Sequence, residues 1–168
     1  MQKNKFAYGR RSRSNKFKIN DIVSPSLRDG SGRLRWDLPF YLLNKGLTTP
    51  DDLRKIAEML GFHIDYIGFG YNFPLVKDTC KLCILNLGND IIGGSHWVAV
   101  NTQTKEYFDP LGGPPPDYIP KDYKSNNHRT IQNWRYGRCG QYCVLFLYYS
   151  NKGRSEEFFD NFKEGYDE

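Results

Sequence analysis

The clearest periodic pattern in the chain starts after Thr49. Leu53, Ile56, Ala57 and Leu60 recur at the spacing that gathers apolar side chains on one helical face, with charged residues between them. Thr49 suits the N-cap, Pro50 the first turn, and Asp52 completes a capping-box pattern. Gly61 ends the helix. Shorter apolar stretches follow. FHIDYIGFGYNFP predicts a strand and a turn, CKLCILNL a buried strand, and SHWVAV and KEYFD two further strands. The run GGPPP at 112–116 breaks structure, and a polar linker reaches to about Thr130. From Cys139, the stretch CGQYCVLFLYYS is apolar for longer than a typical strand and begins at a Gly-bearing turn, so it predicts a buried helix. A helix, several strands and a core helix make an α+β arrangement.

Composition changes this picture only at the ends. At 168 residues, with 39% apolar and 26% charged residues, the chain is long enough for one domain with its own core. No apolar run approaches a membrane span, and the N-terminus lacks a signal-peptide core, so the expectation is a non-secreted protein with no membrane association. Four cysteines in this length make no disulfide framework and point to a reducing compartment. The net charge of +5 is unevenly placed. Residues 1–20 carry seven Lys and Arg and no acid, leaving residues 21–168 at −2. Residues 1–30 therefore read as a basic flexible arm and 31–168 as the folded domain. Arg10, Arg11, Arg13, Lys16 and Lys18 in the arm are candidates for phosphate contacts to DNA; a solvated arm explains the same charges.

Candidate chemistry concentrates in four residues. His96, Asp109, Gln132 and Cys139 supply a base, an orienting acid, an oxyanion donor and a nucleophile. If SHWVAV and KEYFD form a hairpin with a loop of Thr102-Gln103 or 101–104, His96 faces Asp109 directly, within about 5 Å between Cβ atoms. An odd-length loop moves Asp109 to the other face. A thiol opening a helix sits at the positive end of its dipole, where the thiolate is favoured. Gly140 carries no side chain beside it, which lets a substrate backbone approach. Gln132 lies one loop upstream, close enough to fold its amide over the nucleophile. Cys143 reads as core. Cys80 and Cys83 form a lone C-x2-C whose odd spacing on a strand points them to opposite faces; no metal site is expected.

The chain resembles the adenovirus maturation protease (adenain) family, a branch of the group that includes SUMO-specific proteases. The resemblance covers roughly residues 50–150 and rests on LRKIAEMLG, DYIGFGYNFP, KLCILNLGNDIIGGSHWVAV, YFDPLG and Gln132 with CGQYC. It implies a papain-like, adenain-like fold, with a central helix bearing the nucleophile packed on a mixed sheet bearing His96 and Asp109. It implies Cys139 as nucleophile, His96 as base, Asp109 as third member, Gln132 as oxyanion donor and Trp97 as a wall of the substrate cleft. It further implies a thiol protease that cleaves capsid or other virion precursors, often after Gly-containing sequences. The expected setting is the virion and the host-cell interior, in the nucleus or a cytoplasmic virus factory. The enzyme is expected to be a monomer. No cofactor is required by the sequence, with DNA or a peptide as candidate activators. The family's activator peptide is disulfide-linked to a cysteine between the acid and the Gln, and this chain has none there. Two alternatives share some of these features: a SUMO or ubiquitin-like isopeptidase, and a zinc-stabilised nucleic-acid-binding protein.

Overall fold

The computed structural model describes residues 48–88, 96–127, 129–131 and 137–160. The basic arm, with Arg10, Arg11, Arg13, Lys16 and Lys18, lies outside the described residues, as does Gln132. Among the described residues the first helix, α1 (Pro50–Met59), forms where the pattern places it. Thr49 Oγ1 accepts from Asp52 N at 3.2 Å, and Thr49 N donates to Asp52 Oδ2 at 2.9 Å, the reciprocal capping box. Gly61, at φ 85°, turns the chain out of the helix while Phe62 N donates back to Ala57 O.

Among the described residues five strands follow: β1 (Tyr66–Phe69), β2 (Leu82–Asn86), β3 (Trp97–Asn101), β4 (Glu106–Phe108) and β5 (Lys124–Ser125). They lie side by side in that order, with the outer pairs parallel and the inner pairs antiparallel. The stretch predicted as one strand and a turn is β1 followed by a 3-10 turn (Gly70–Asn72) and a short helix, α2 (Phe73–Val76). The polar linker hides β5, which has no apolar residue to announce it.

Both faces of the sheet are covered, so β2 and β3 are buried at every position. Leu82, Ile84, Trp97, Ala99 and Phe108 face a large core with the long helix α3 (Cys139–Ser150). Cys83, Leu85, Val98, Val100 and Tyr107 face a second cluster closed by Phe73 and Ile119. All twelve residues of α3 are buried, as an all-round apolar helix requires. It packs on β3 and α1, and a final helix, α4 (Ser155–Asp160), packs on it. Phe108 stacks on Phe146 at 4.7 Å, and Phe158 meets Phe108 edge-on at 5.3 Å.

The hairpin of β3 and β4 forms, but its register differs from the expected one by two residues. Asn101 pairs with Glu106, and the loop is 102–105. The cause is the Asn101 side chain. Its Oδ1 accepts from Gln103 N (3.0 Å) and Thr104 N (3.2 Å), and its Nδ2 donates to Ser150 Oγ at 2.8 Å. This Asx turn consumes two more residues, and Lys105 closes it at φ 56°. Continuing the register sets Val98, not His96, across from Asp109. The loop length is still even, so His96 and Asp109 keep the same face and meet diagonally past the strand ends.

Candidate active site

The sheet end where β3 begins and β4 stops faces the first turn of α3. Leu87 N donates to His96 O at 2.9 Å, which anchors the His96 backbone just before β3. Its ring points to Asp109, with Nε2 to Oδ1 at 2.6 Å. Nδ1 is then the ring nitrogen left to face the hydrogen-bonded Cys139 thiol. Trp97 N donates to Cys139 Sγ at 3.4 Å, so two consecutive residues, His96 just before β3 and Trp97 at its start, address the sulfur. Helix α3 makes its first internal bond from Tyr142 N to Arg138 O, which leaves the N–H groups of its first turn without intrahelical acceptors beside Cys139.

Asp109 is held from several sides. Leu111 N donates to Oδ1 at 2.8 Å and Gly113 N to Oδ2 at 3.2 Å. A Cβ at Gly113 would lie 2.8 Å from Oδ2, so glycine there is a condition of that approach. Asn126 Oδ1 accepts from Asp109 N at 2.8 Å, and Asn126 Nδ2 donates to Asp109 O at 2.6 Å. Pro110 has no N–H to lose where the chain bends away. The carboxylate is 4% exposed as a residue yet supplied with donors at both oxygens.

Burial works hardest against a charged His96. The hydrogen bonds to Asp109 and to Cys139, and then the charges of those two groups, more than offset it, and the imidazole pKa rises from 6.5 to about 9. The other buried thiols behave differently. Burial first, then the neighbouring Cys80 and Asp65, pushes Cys83 up to about 12. Burial also pushes Cys143 well above the ordinary thiol range. Both are core groups held as neutral thiols at physiological pH. What the arrangement can do chemically is transfer a proton between sulfur and imidazole while a carboxylate fixes the ring and balances its charge.

Viral proteases are similar to part of the chain. A protease of snake adenovirus serotype 1 is 27% identical over 138 residues, 66% of this chain and 69% of that protein. A protease of bovine adenovirus 7 is 32% identical over 117 residues, 54% and 57% of the two chains. A protease of frog adenovirus 1 is 29% identical over 128 residues, 60% and 62%. Over part of its length the chain is similar to proteases of adenoviruses. It spans from 57% to 69% of the length of these three relatives. No family profile matches it, and no solved structure matches it significantly.

The structure brings His96, Asp109, Cys139, Trp97 and Gly140 together. Gly140 needs its bare Cα for a different reason from the one expected. A Cβ there would overlap Thr48 Oγ1, lie 2.6 Å from Leu53 Cδ2 and 3.2 Å from Trp97 Cδ1. The glycine lets α3 press onto α1 and β3. Trp97 is 9% exposed, its indole Nε1 donating to Thr48 O at 3.3 Å, so much of the ring is core rather than cleft wall. Cys80 precedes β2 and packs against the same cluster as Cys83, which corrects the opposite-face expectation. Cys139 and Cys143 lie across the sheet from them. Among the described residues, no group of three or more His, Cys, Asp or Glu is placed to hold a metal. Asn126 and Gly113 were not singled out from sequence. Asn126 sits in the polar run KSNNH, where nothing distinguishes a buried amide from a solvated one.

Gly140→Ala is expected to destabilise the protein. Overpacking against fully buried Leu53 costs about 1–3 kcal/mol. The helix preference of Ala returns up to about 1 kcal/mol. Thermal unfolding should show a lower Tm; an unchanged or raised Tm would contradict the tight packing.

Proposed function

We propose that the chain is a cysteine endopeptidase that matures viral precursor proteins. The observation that carries this is the contact of His96 Nε2 with Asp109 Oδ1 at 2.6 Å, on a ring also hydrogen-bonded to the thiol that opens α3. The relatives are named proteases and come from adenoviruses, which supports a viral setting in the virion and the infected cell. In this reading His96 takes the proton of Cys139, or the two rest as a thiolate–imidazolium pair. The sulfur attacks the peptide carbonyl, and Gln132 with backbone N–H groups stabilises the oxyanion. His96 then protonates the leaving amine, and water releases the acid from the thioester. Trp97 contributes its exposed edge to the cleft. Substrates are virion precursors, capsid proteins among them, cut after Gly-containing sequences. The basic arm, through Arg10, Arg11, Arg13, Lys16 and Lys18, offers DNA an electrostatic grip.

The test is cleavage of a panel of Gly-Gly-containing precursor peptides beside a ubiquitin-like fusion, with and without DNA and before and after iodoacetamide. Cleavage of the peptides, lost on alkylation of Cys139, is the expected result. Cleavage of the fusion alone would move the assignment to an isopeptidase. Absence of any cleavage, with Cys139 inert to iodoacetamide, would overturn it.

A further inference from the structure

We infer that Asn126 is a positioning residue for the candidate active site, acting through the backbone of Asp109. Strand β4 ends at Phe108 and β5 at Ser125, with Tyr107 and Ser125 as the last pair of their ladder. Beyond it, the Asn126 side chain takes over. Its carbonyl oxygen accepts from Asp109 N at 2.8 Å and its amide donates to Asp109 O at 2.6 Å, so one side chain grips both polar groups of a single residue. The same amide also donates to Arg129 O at 3.0 Å, tying the following loop into the grip. Asn126 is 7% exposed and its polar atoms are committed to these contacts.

The grip matters because of where Asp109 sits. Pro110 follows at once, so the ladder cannot continue through a backbone N–H there. Without a surrogate rung, Asp109, the residue between the end of β4 and the bend, would have its N–H buried and unpaired. The surrogate fixes the Cα of Asp109, and Leu111 N and Gly113 N fix its carboxylate. Only together do they set the carboxylate at hydrogen-bonding distance from His96. The requirement is specific to Asn. Asp supplies no N–H and would oppose the Asp109 carbonyl. Leu matches the volume and supplies neither partner. Among the described residues, the titratable groups facing His96 are Asp109, just past the end of β4, and Cys139 from α3, so a shift of Asp109 is read directly in the imidazole.

This inference rests on the protease reading for its kinetic arm and not for its spectroscopic one. The experiment follows the His96 imidazole by NMR titration in full-length wild type, Asn126→Ala and Asn126→Asp, with His63 as an internal control. In both variants the His96 pKa is expected to fall from about 9 toward 6.5. Peptide cleavage should lose on the order of 10–100-fold in kcat with KM little changed, as for a misplaced catalytic group. Asn126→Ser, which keeps one of the two contacts, should fall between, and it serves as the folded variant should Asn126→Ala not fold. A folded Asn126 variant whose His96 titrates as in wild type overturns the inference. A shifted His96 in a protein that cleaves no peptide would keep the positioning role and remove the protease reading instead.

Discussion

Cys139→Ala is expected to lower kcat/KM by about 10⁴-fold or more on any peptide the protein cleaves. Removing the nucleophile from a nucleophile–base–acid unit leaves only what binding and oxyanion donors supply, and effects of that size are typical of such sites. The fold should survive. Cys139 is small, and the first turn of α3 is held by Gly140 packing on Thr48, Leu53 and Trp97 rather than by the sulfur. Cys139→Ser should lose nearly as much, because a hydroxyl lacks the low pKa and the nucleophilicity of a thiol. Single-turnover cleavage read beside thermal unfolding separates chemistry from stability. Full activity in a folded Cys139→Ala protein would refute the assignment. Peptide mapping after limited alkylation gives a second check. Cys83 and Cys143 are buried and held neutral, so they should label far more slowly than Cys139.

The second large effect is the pH dependence and its loss in Asp109→Asn. The imidazolium of His96 is favoured in the folded protein, its pKa standing at about 9 against 6.5 ordinarily. A raised histidine pKa means the protonated form, and the stability it contributes, is fully present below 6.5 and is lost as pH rises through about 9. The alkaline limb of kcat/KM is therefore expected near pH 9. Asp109→Asn should move it toward neutrality, since burial is then opposed only by the hydrogen bond and charge of Cys139. The amide cannot imitate the carboxylate here. Both oxygens receive backbone donors, Oδ1 from Leu111 N and Oδ2 from Gly113 N, so an NH₂ in either place meets an N–H. One orientation also offers His96 a donor and imposes the wrong tautomer, a change that has cost other triads roughly 10⁴-fold. An alkaline limb that stays near pH 9 in Asp109→Asn would show that Asp109 does not set the charge of the ring.

Several features are legible in the residues alone. The capped helix after Thr49 is written in local terms, a hydroxyl, a proline, an acid and a glycine at fixed offsets. The long apolar run from Cys139 could only be central, because no face of it is polar enough for water. The resemblance to adenovirus proteases is carried by local motifs as well. His96 and Asp109 were paired by parity, and parity survived a register error of two because strand side chains repeat every second residue. The error itself came from Asn101, whose side chain binds Ser150 almost fifty residues away, a contact no local pattern reports.

What only the tertiary structure decided concerns residues whose meaning depends on distant neighbours. Strand β5 is two residues long and polar, and pairing with β4 rather than composition makes it a strand. Gly140 invites a substrate in isolation; against Leu53 and Trp97 it is a packing requirement. Asn126 is an ordinary polar residue until the fold sets it beside Asp109. Local order follows from side-chain shape and capping chemistry and is encoded where it occurs. A buried hydrogen bond between residues 17 apart depends on the whole path of the chain between them, so the sequence pointed to Cys139, His96 and Asp109, and the fold supplied what holds them.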